Sequence, residues 1–146
     1  MPPILLDTNI LVYIYDIREP ERRSIAKGLV QHMERTGIGR LSVQSLGELF
    51  SAATHKLHFS PAEMYIQIER WQNVFPILDL TPQIVLEAAR GVRDHKMAYY
   101  DAQIWAAARL NQIPVVFSED FQDGQVLEGV RFANPFTPTF DLETWL

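Results

Sequence analysis

Asp7, Glu48, Asp101 and Asp120 lie far apart in the chain, yet the segments around them place three of the four at the carboxyl edge of one sheet. Asp7 ends the apolar run Ile4-Leu5-Leu6, Asp120 follows Val115-Val116-Phe117-Ser118, and Asp101 opens the helical segment Tyr99 to Asn111. In open α/β sheets, ligands bind outside the carboxyl ends of the strands. Carboxylates gathered there resist joint ionisation unless a cation neutralises them. Mg²⁺ or Mn²⁺, hard ions that prefer oxygen donors, meets that need. Such a centre hydrolyses its substrate with activated water, and no side-chain nucleophile is required.

Each acid also has an ordinary structural role open to it. Asp7 could cap the helix that follows, although Thr8 can do so instead. A carboxylate directly after three apolar residues is desolvated and needs a partner, and no Lys or Arg precedes Arg18. Glu48 sits nearly opposite the Leu46/Leu49/Phe50 stripe of its helix, among Ser45, Ser51, Ala52 and His55, which suits either solvent or a cleft. Asp101 in a first helical turn also complements the dipole. Turn chemistry alone accounts for Asp120 and Asp123 in Ser118-Glu119-Asp120-Phe121-Gln122-Asp123-Gly124.

The elements that must position these residues alternate between strand-length apolar runs and helical periodicity, the pattern of βαβ units and a mostly parallel sheet. Strands are expected at Ile4 to Asp7, Ile38 to Val43, Val74 to Leu78, Ile113 to Ser118 and Val130 to Ala133. The spacing predicts helices over Asn9 to Tyr15, from Pro20 to Thr36-Gly37 with Ile25, Leu29 and Met33 inward, and over Gln44 to His55. Others start after Ser60-Pro61 and Thr81-Pro82, the latter with Ile84, Val85, Ala88, Ala89 and Val92 inward, and the last runs from Tyr99 to Asn111. The tail with Leu142, Trp145 and Leu146 carries no clear regular element. The expected fold class is α/β, a three-layer α/β/α domain with a mostly parallel sheet of four to five strands.

At 146 residues the chain suits one domain, residues 1–146. A 47% hydrophobic and 21% charged composition excludes disordered and fibrous classes. With no cysteine, disulfides, thiolate zinc sites and a cysteine nucleophile are excluded, which fits a reducing cytoplasm. No basic leader and no run of about 20 apolar residues is present, so an unexported protein without a membrane partner is expected. The net charge of −5 speaks against a polyanionic partner, but the four candidate ligands supply four of those five charges. Divalent ions would offset them, and chelation would then weaken nucleic-acid binding.

Taken in order, strand-Asp7-Thr8-Asn9, Glu48 on the helix after the second strand, Tyr100-Asp101-Ala102 opening an alanine-rich helix, and Ser118-Glu119-Asp120 resemble the PIN-domain nucleases. Within that superfamily the chain most resembles VapC-type toxins of toxin–antitoxin pairs, down to Asp120-Phe121-Gln122-Asp123-Gly124 and Asn134-Pro135-Phe136. The resemblance implies a PIN-like fold and a Mg²⁺- or Mn²⁺-dependent endoribonuclease, leaving a 5′-phosphate and a 3′-hydroxyl on single-stranded or looped RNA. Asp7, Glu48, Asp101 and Asp120 take the family's acidic positions, Asp123 is an alternate ligand, and Asn9 supports Asp7 from outside. Ser118 matches the Ser/Thr before the last acid, where it orients a carboxylate, a water or the phosphate. A homodimer and a small cognate antitoxin, lying across the active site with basic side chains, are further implications.

Arg18, Arg22, Arg23 and Lys27, and likewise Arg90, Arg93 and Lys96, could steer phosphates or form solvated faces. His55 and His58 have zinc spacing but no third ligand nearby, and Gly37-Ile38-Gly39 is a turn rather than a phosphate loop. Trp71, Trp105, Phe136, Phe140 and Trp145 belong in a core, with the aromatic tail an alternative interface. A haloacid-dehalogenase-like phosphatase would need Asp-x-Asp where this chain has Asp7-Thr8-Asn9. A receiver-like module lacks its acid pair and late lysine, and a PIN-fold binding module without catalysis would have degraded acids.

Overall fold

The structure is a computed structural model that describes residues 2–145. Ile4–Leu6, all buried, form the central strand β1. Helices α1 (Thr8–Ile14) and α2 (Pro20–Thr36) follow, then strand β2 (Gly39–Ser42) and helices α3 (Val43–His55) and α4 (Pro61–Val74). Strand β3 (Ile77–Leu78), helices α5 (Pro82–His95) and α6 (Tyr99–Leu110), and strands β4 (Val115–Phe117), β5 (Val126–Leu127) and β6 (Val130–Ala133) complete the main elements. The sheet order is β3-β2-β1-β4-β6-β5, parallel throughout except for the β5–β6 hairpin.

Alternation along β1 builds the layers. Ile4 and Leu6 point into one core with Leu11, Leu29, Met33, Leu49 and Trp71 from α1 to α4. Leu5 points the other way, with Val116 and Phe132, toward Ile84 of α5 and Trp105 of α6. Both faces of a parallel sheet must be covered, and here they are. The architecture is the expected α/β/α sandwich, with one strand more than the four to five read from sequence. The added strand is β5, two residues joined to β6 through Glu128 and Gly129, both at positive φ.

Several boundaries and faces shift. Val74 closes α4 instead of opening a strand, so β3 has two residues, and Val43 opens α3 and is 42% exposed. On α2 the buried stripe is Ala26, Leu29, Val30 and Met33, while Ile25 faces out. On α5 it is Ile84, Ala88 and Gly91, with Val85 and Ala89 exposed, because α6 packs against α5 where the glycine lets Trp105 approach. The tail forms a short 3₁₀ turn over Leu142–Trp145, while Leu146 lies outside the described residues. Phe140 and Trp145 meet Phe117 edge-on at 5.4 and 5.6 Å, so the aromatic tail belongs to the core.

Two glycines flank the path from β2 to α3 and have opposite requirements. A Cβ at Gly39 would lie 2.7 Å from Phe75 Cε1 and 2.9 Å from Met33 Cβ, whereas one at Gly47 meets nothing within 4 Å. Gly39→Ala is expected to cost about 1–3 kcal/mol through overpacking. Gly47→Ala, in a helix interior, should gain about 0.5–1 kcal/mol. Urea denaturation midpoints of the two variants should move in opposite directions.

Candidate metal centre

Parallel pairing of β1 with β4 sets Leu6 opposite Phe117, so the next residues, Asp7 and Ser118, emerge side by side at the carboxyl edge. Asp7 is the N-cap of α1 and is 4% exposed: Oδ1 accepts from the Thr8 backbone N–H at 2.7 Å. Its Oδ2 accepts from the Ser118 hydroxyl at 2.7 Å. Capping therefore falls to Asp7 itself, and Thr8 is freed to donate toward Ser45 (3.2 Å) and Glu48 (3.3 Å). Ser118 Oγ accepts from Asn9 Nδ2 at 3.2 Å and from the Asp120 backbone N–H at 3.0 Å, and Asn9 Nδ2 also donates to Asp120 Oδ2 at 3.1 Å. Ser118 and Asn9 thus join Asp7 to Asp120.

Asp101 reaches the edge from α6, and a polar chain through buried Gln103 holds that helix start against α3. Tyr99 donates to Gln103 Oε1 at 2.9 Å, Gln103 Nε2 donates to Gln44 Oε1 at 2.8 Å, and Gln44 Nε2 donates to the Tyr100 carbonyl at 3.1 Å. Sequence reasoning passed over this chain. Its one signal was a glutamine inside the otherwise apolar run Ala102-Gln103-Ile104-Trp105. The Ser42 hydroxyl donates to Ser45 Oγ and steadies the α3 end of the site.

The four acids feel one another. Burial raises the Asp7 carboxyl to about 7; Ser118 and Thr8 oppose that rise, while the Asp120 and Glu48 charges add to it. Burial raises Asp101 as well, with Asp120 and Glu48 again contributing. None of the four enters an ion pair among the described residues. As the side chains stand, no three His, Asp or Glu groups among the described residues are gathered closely enough to enclose an ion. Glu48 and Asp120 are drawn toward Thr8 and Asn9 instead, as repulsion between uncompensated carboxylates would favour. An oxygen-only donor set with a buried, cation-free aspartate at its centre fits a hard divalent ion.

Asp123 stands apart from this group, its Oδ1 accepting from the Asn134 backbone N–H at 2.8 Å and fixing the loop after β4. Glu119 is also turned away, held by Tyr13 at 2.5 Å and Arg22 at 3.3 Å. In the second basic cluster Arg90 pairs with Glu87 and Glu128, and Arg93 with Asp94. A groove of about 530 Å³ runs over the edge past Thr8, Asn9, Glu48 and Asp120. A larger cavity of about 780 Å³, between α3 and α4, is walled by Leu46, Phe50, Ile68 and Ile77 and carries none of the four acids.

A three-layer α/β/α domain with acids at the carboxyl edge of its central strands defines a class that the comparisons resolve. The PIN domain family matches residues 4–122, and the chain belongs to that family. No curated protein matches the sequence. Among solved structures, DNA-bound VapBC from Salmonella typhimurium superposes with a TM-score of 0.66 at 18% identity, covering 92% of this chain and 99% of that one. A toxin–antitoxin complex from Klebsiella pneumoniae gives 0.64 at 20% identity, covering 91% and 98%. VapC20 of Mycobacterium tuberculosis, described as a sarcin-ricin loop cleaving toxin, gives 0.63 at 17% identity, covering 80% and 91%. At these identities the likeness is one of fold. Among the described residues, no helix is long and apolar enough to cross a membrane.

Proposed function

We propose that this chain, as one domain over residues 1–146, is a divalent-metal-dependent endoribonuclease of the cytoplasm and the toxin of a VapBC-type pair. The observation that carries the reading is the absence of any ion pair from Asp7, Glu48, Asp101 and Asp120 among the described residues. The other carboxylates around them differ: Asp16, Glu87, Glu119 and Glu128 all have arginine partners. A site that leaves four mutually repelling acids without a cation is built to receive one. Asp7, Glu48, Asp101 and Asp120 would hold Mg²⁺ or Mn²⁺. When bound, such an ion lowers the pKa of water and offsets charge on a phosphodiester.

The chain's own residues do the rest. Ser118 fixes one Asp7 oxygen, Thr8 N–H fixes the other, and Asn9 sets Asp120. The groove over them is open, so single-stranded or looped RNA, whose segments unstack and bend, fits better than duplex. Asp123 is best read as a loop anchor, given its bond to Asn134. An antitoxin partner is supported by the VapBC complexes among the structural neighbours, and its basic side chains would pair with these acids. A homodimer is the proposed state of the free toxin.

A structured RNA pool incubated with purified protein tests the reading. Cleavage is expected with Mg²⁺ or Mn²⁺, none with EDTA, and products should carry 5′-phosphates. Cleavage that persists in EDTA, or products ending in cyclic phosphates, would remove the metal-hydrolysis assignment.

A further inference from the structure

The groove over the acidic edge changes sign along its length. Away from Glu48 and Asp120 it is bordered by Arg18, His55 and Lys56. Asp16, 5% exposed, engages Arg18 with both of its oxygens. Oδ1 accepts from the Arg18 backbone N–H at 3.1 Å and from Nε at 2.9 Å, and Oδ2 accepts from Nη2 at 3.0 Å. The guanidinium is thereby fixed in one orientation, yet 67% of the Arg18 side chain remains exposed. Both Nη1 hydrogens and one on Nη2 are left to donate. An arginine clamped on its inner edge and open on its outer edge is prepared for the paired acceptors of a phosphate.

Lys56, the C-cap residue of α3, is exposed and enters no ion pair among the described residues. With Arg18 and Asp16 it also borders a notch of about 250 Å³ whose walls include Ile17, Leu57 and Phe59. Ile17 is 77% exposed there, an apolar surface on which an unstacked base can rest clear of the carboxylates. The neighbouring cations are differently committed. Arg22 is paired with Glu119, Arg23 Nε donates to the Ile14 carbonyl, and Arg23 and Lys27 line another cavity. Of the basic run that begins α2, Arg18 alone borders the groove that holds the acids.

We propose that Arg18 and Lys56 form a phosphate subsite for a backbone phosphate of the RNA strand flanking the one presented to the acids, with Asp16 as the positioning residue for Arg18. The inference rests on the ribonuclease reading. Carboxylates repel the scissile phosphate, so affinity for the strand has to come from elsewhere along the groove, and this is where the groove is cationic.

Binding of a dye-labelled single-stranded RNA oligonucleotide to Asp101→Asn protein, followed by anisotropy in Mg²⁺ over a salt series, tests this without cleavage. Adding Arg18→Gln and Lys56→Gln together should raise Kd at least about tenfold. The slope of log Kd against log salt should fall by about 1.4. Lys56→Gln alone, which leaves the Arg18–Asp16 pair intact, should lower the slope by about 0.7. Asp16→Asn should raise Kd while keeping the slope, since the Arg18 charge remains and only its placement is lost. Unchanged Kd and slope in the double variant would overturn the subsite. In the cutting-competent protein the double variant should raise KM and leave kcat within about twofold, consistent with uniform binding. A fall in kcat at constant KM would overturn the proposal too. If wild-type protein leaves RNA intact while the anisotropy results hold, the ribonuclease reading fails and the subsite stands. If it cuts RNA and the double variant matches it in KM and salt slope, the subsite fails and the ribonuclease reading stands.

Discussion

Asp7→Asn lowers divalent-ion-dependent RNA cleavage by at least about 10³-fold, the equivalent of removing several kcal/mol of charge stabilisation at the reacting phosphate. The substitution keeps nearly the same shape. An asparagine carbonyl can still accept from the Thr8 N–H that now reaches Oδ1 at 2.7 Å. What disappears is the negative charge on the most enclosed of the four acids, 4% exposed and free of any ion pair among the described residues. A merely structural N-cap would tolerate the exchange, because Asn caps as well as Asp. Single-turnover cleavage of labelled RNA at saturating Mn²⁺ measures the difference. A loss of less than about tenfold would return Asp7 to the role of a cap.

The same carboxylate makes the metal-free protein sensitive to pH, in an unusual direction for an aspartate. Its pKa is raised from 3.8 to about 7, chiefly by burial, so between those values the folded chain holds a proton that the unfolded chain has released. The stability tied to that proton is complete below about pH 4, is lost progressively as pH rises, and is gone above about pH 7. By linkage the contribution falls by about 3 kcal/mol between pH 5 and pH 8. Glu128 works in the opposite sense, since Arg90 and His95 hold it down at about 2, so its contribution is kept above pH 4.5 and fades only in acid. Urea denaturation in EDTA at pH 5 and pH 8 isolates Asp7 when wild type and Asp7→Asn are compared. The difference between the two proteins should shift by about 3 kcal/mol in favour of the variant at the higher pH. Adding Mn²⁺ at pH 8 should restore the wild type and leave the variant unmoved, since a ligand that binds only the folded form stabilises it. A difference that is the same at both pH values would mean that the Asp7 carboxylate is not desolvated.

The fold was readable because its signals are local and repeated. Pro61 after Ser60 and Pro82 after Thr81 mark helix starts, and the structure shows both caps donating as the motifs require. The apolar triplet Ile4-Leu5-Leu6 and the run ending in Phe117 mark strands buried on both faces. Helix faces were less legible where a small residue decides the packing. Gly91 lets Trp105 against α5 and rotates its buried stripe away from Val85 and Ala89. A two-residue strand such as Val126–Leu127 exists through its partner and leaves almost no trace in sequence.

At the site, Asp7 and Ser118 were legible because each follows a strand, and strand ends in such sheets converge. Register then brings them together, which no single segment could reveal. The links among Tyr99, Gln103 and Gln44, and the clamp of Asp16 on Arg18, depend on helix-to-helix or turn geometry that residue types alone do not encode. Asp123 shows the converse. Its acid type and position beside Asp120 suggested a ligand, whereas the loop uses it to hold Asn134.

The central claim is that Asp7, Glu48, Asp101 and Asp120 together hold a divalent ion. Calorimetric titration of Mn²⁺ into wild-type protein and into an Asp7→Asn/Asp101→Asn double variant, both at pH 8, tests it most directly. Saturable binding to the wild type and its loss in the double variant is the predicted result; equal binding by the two proteins would contradict the claim.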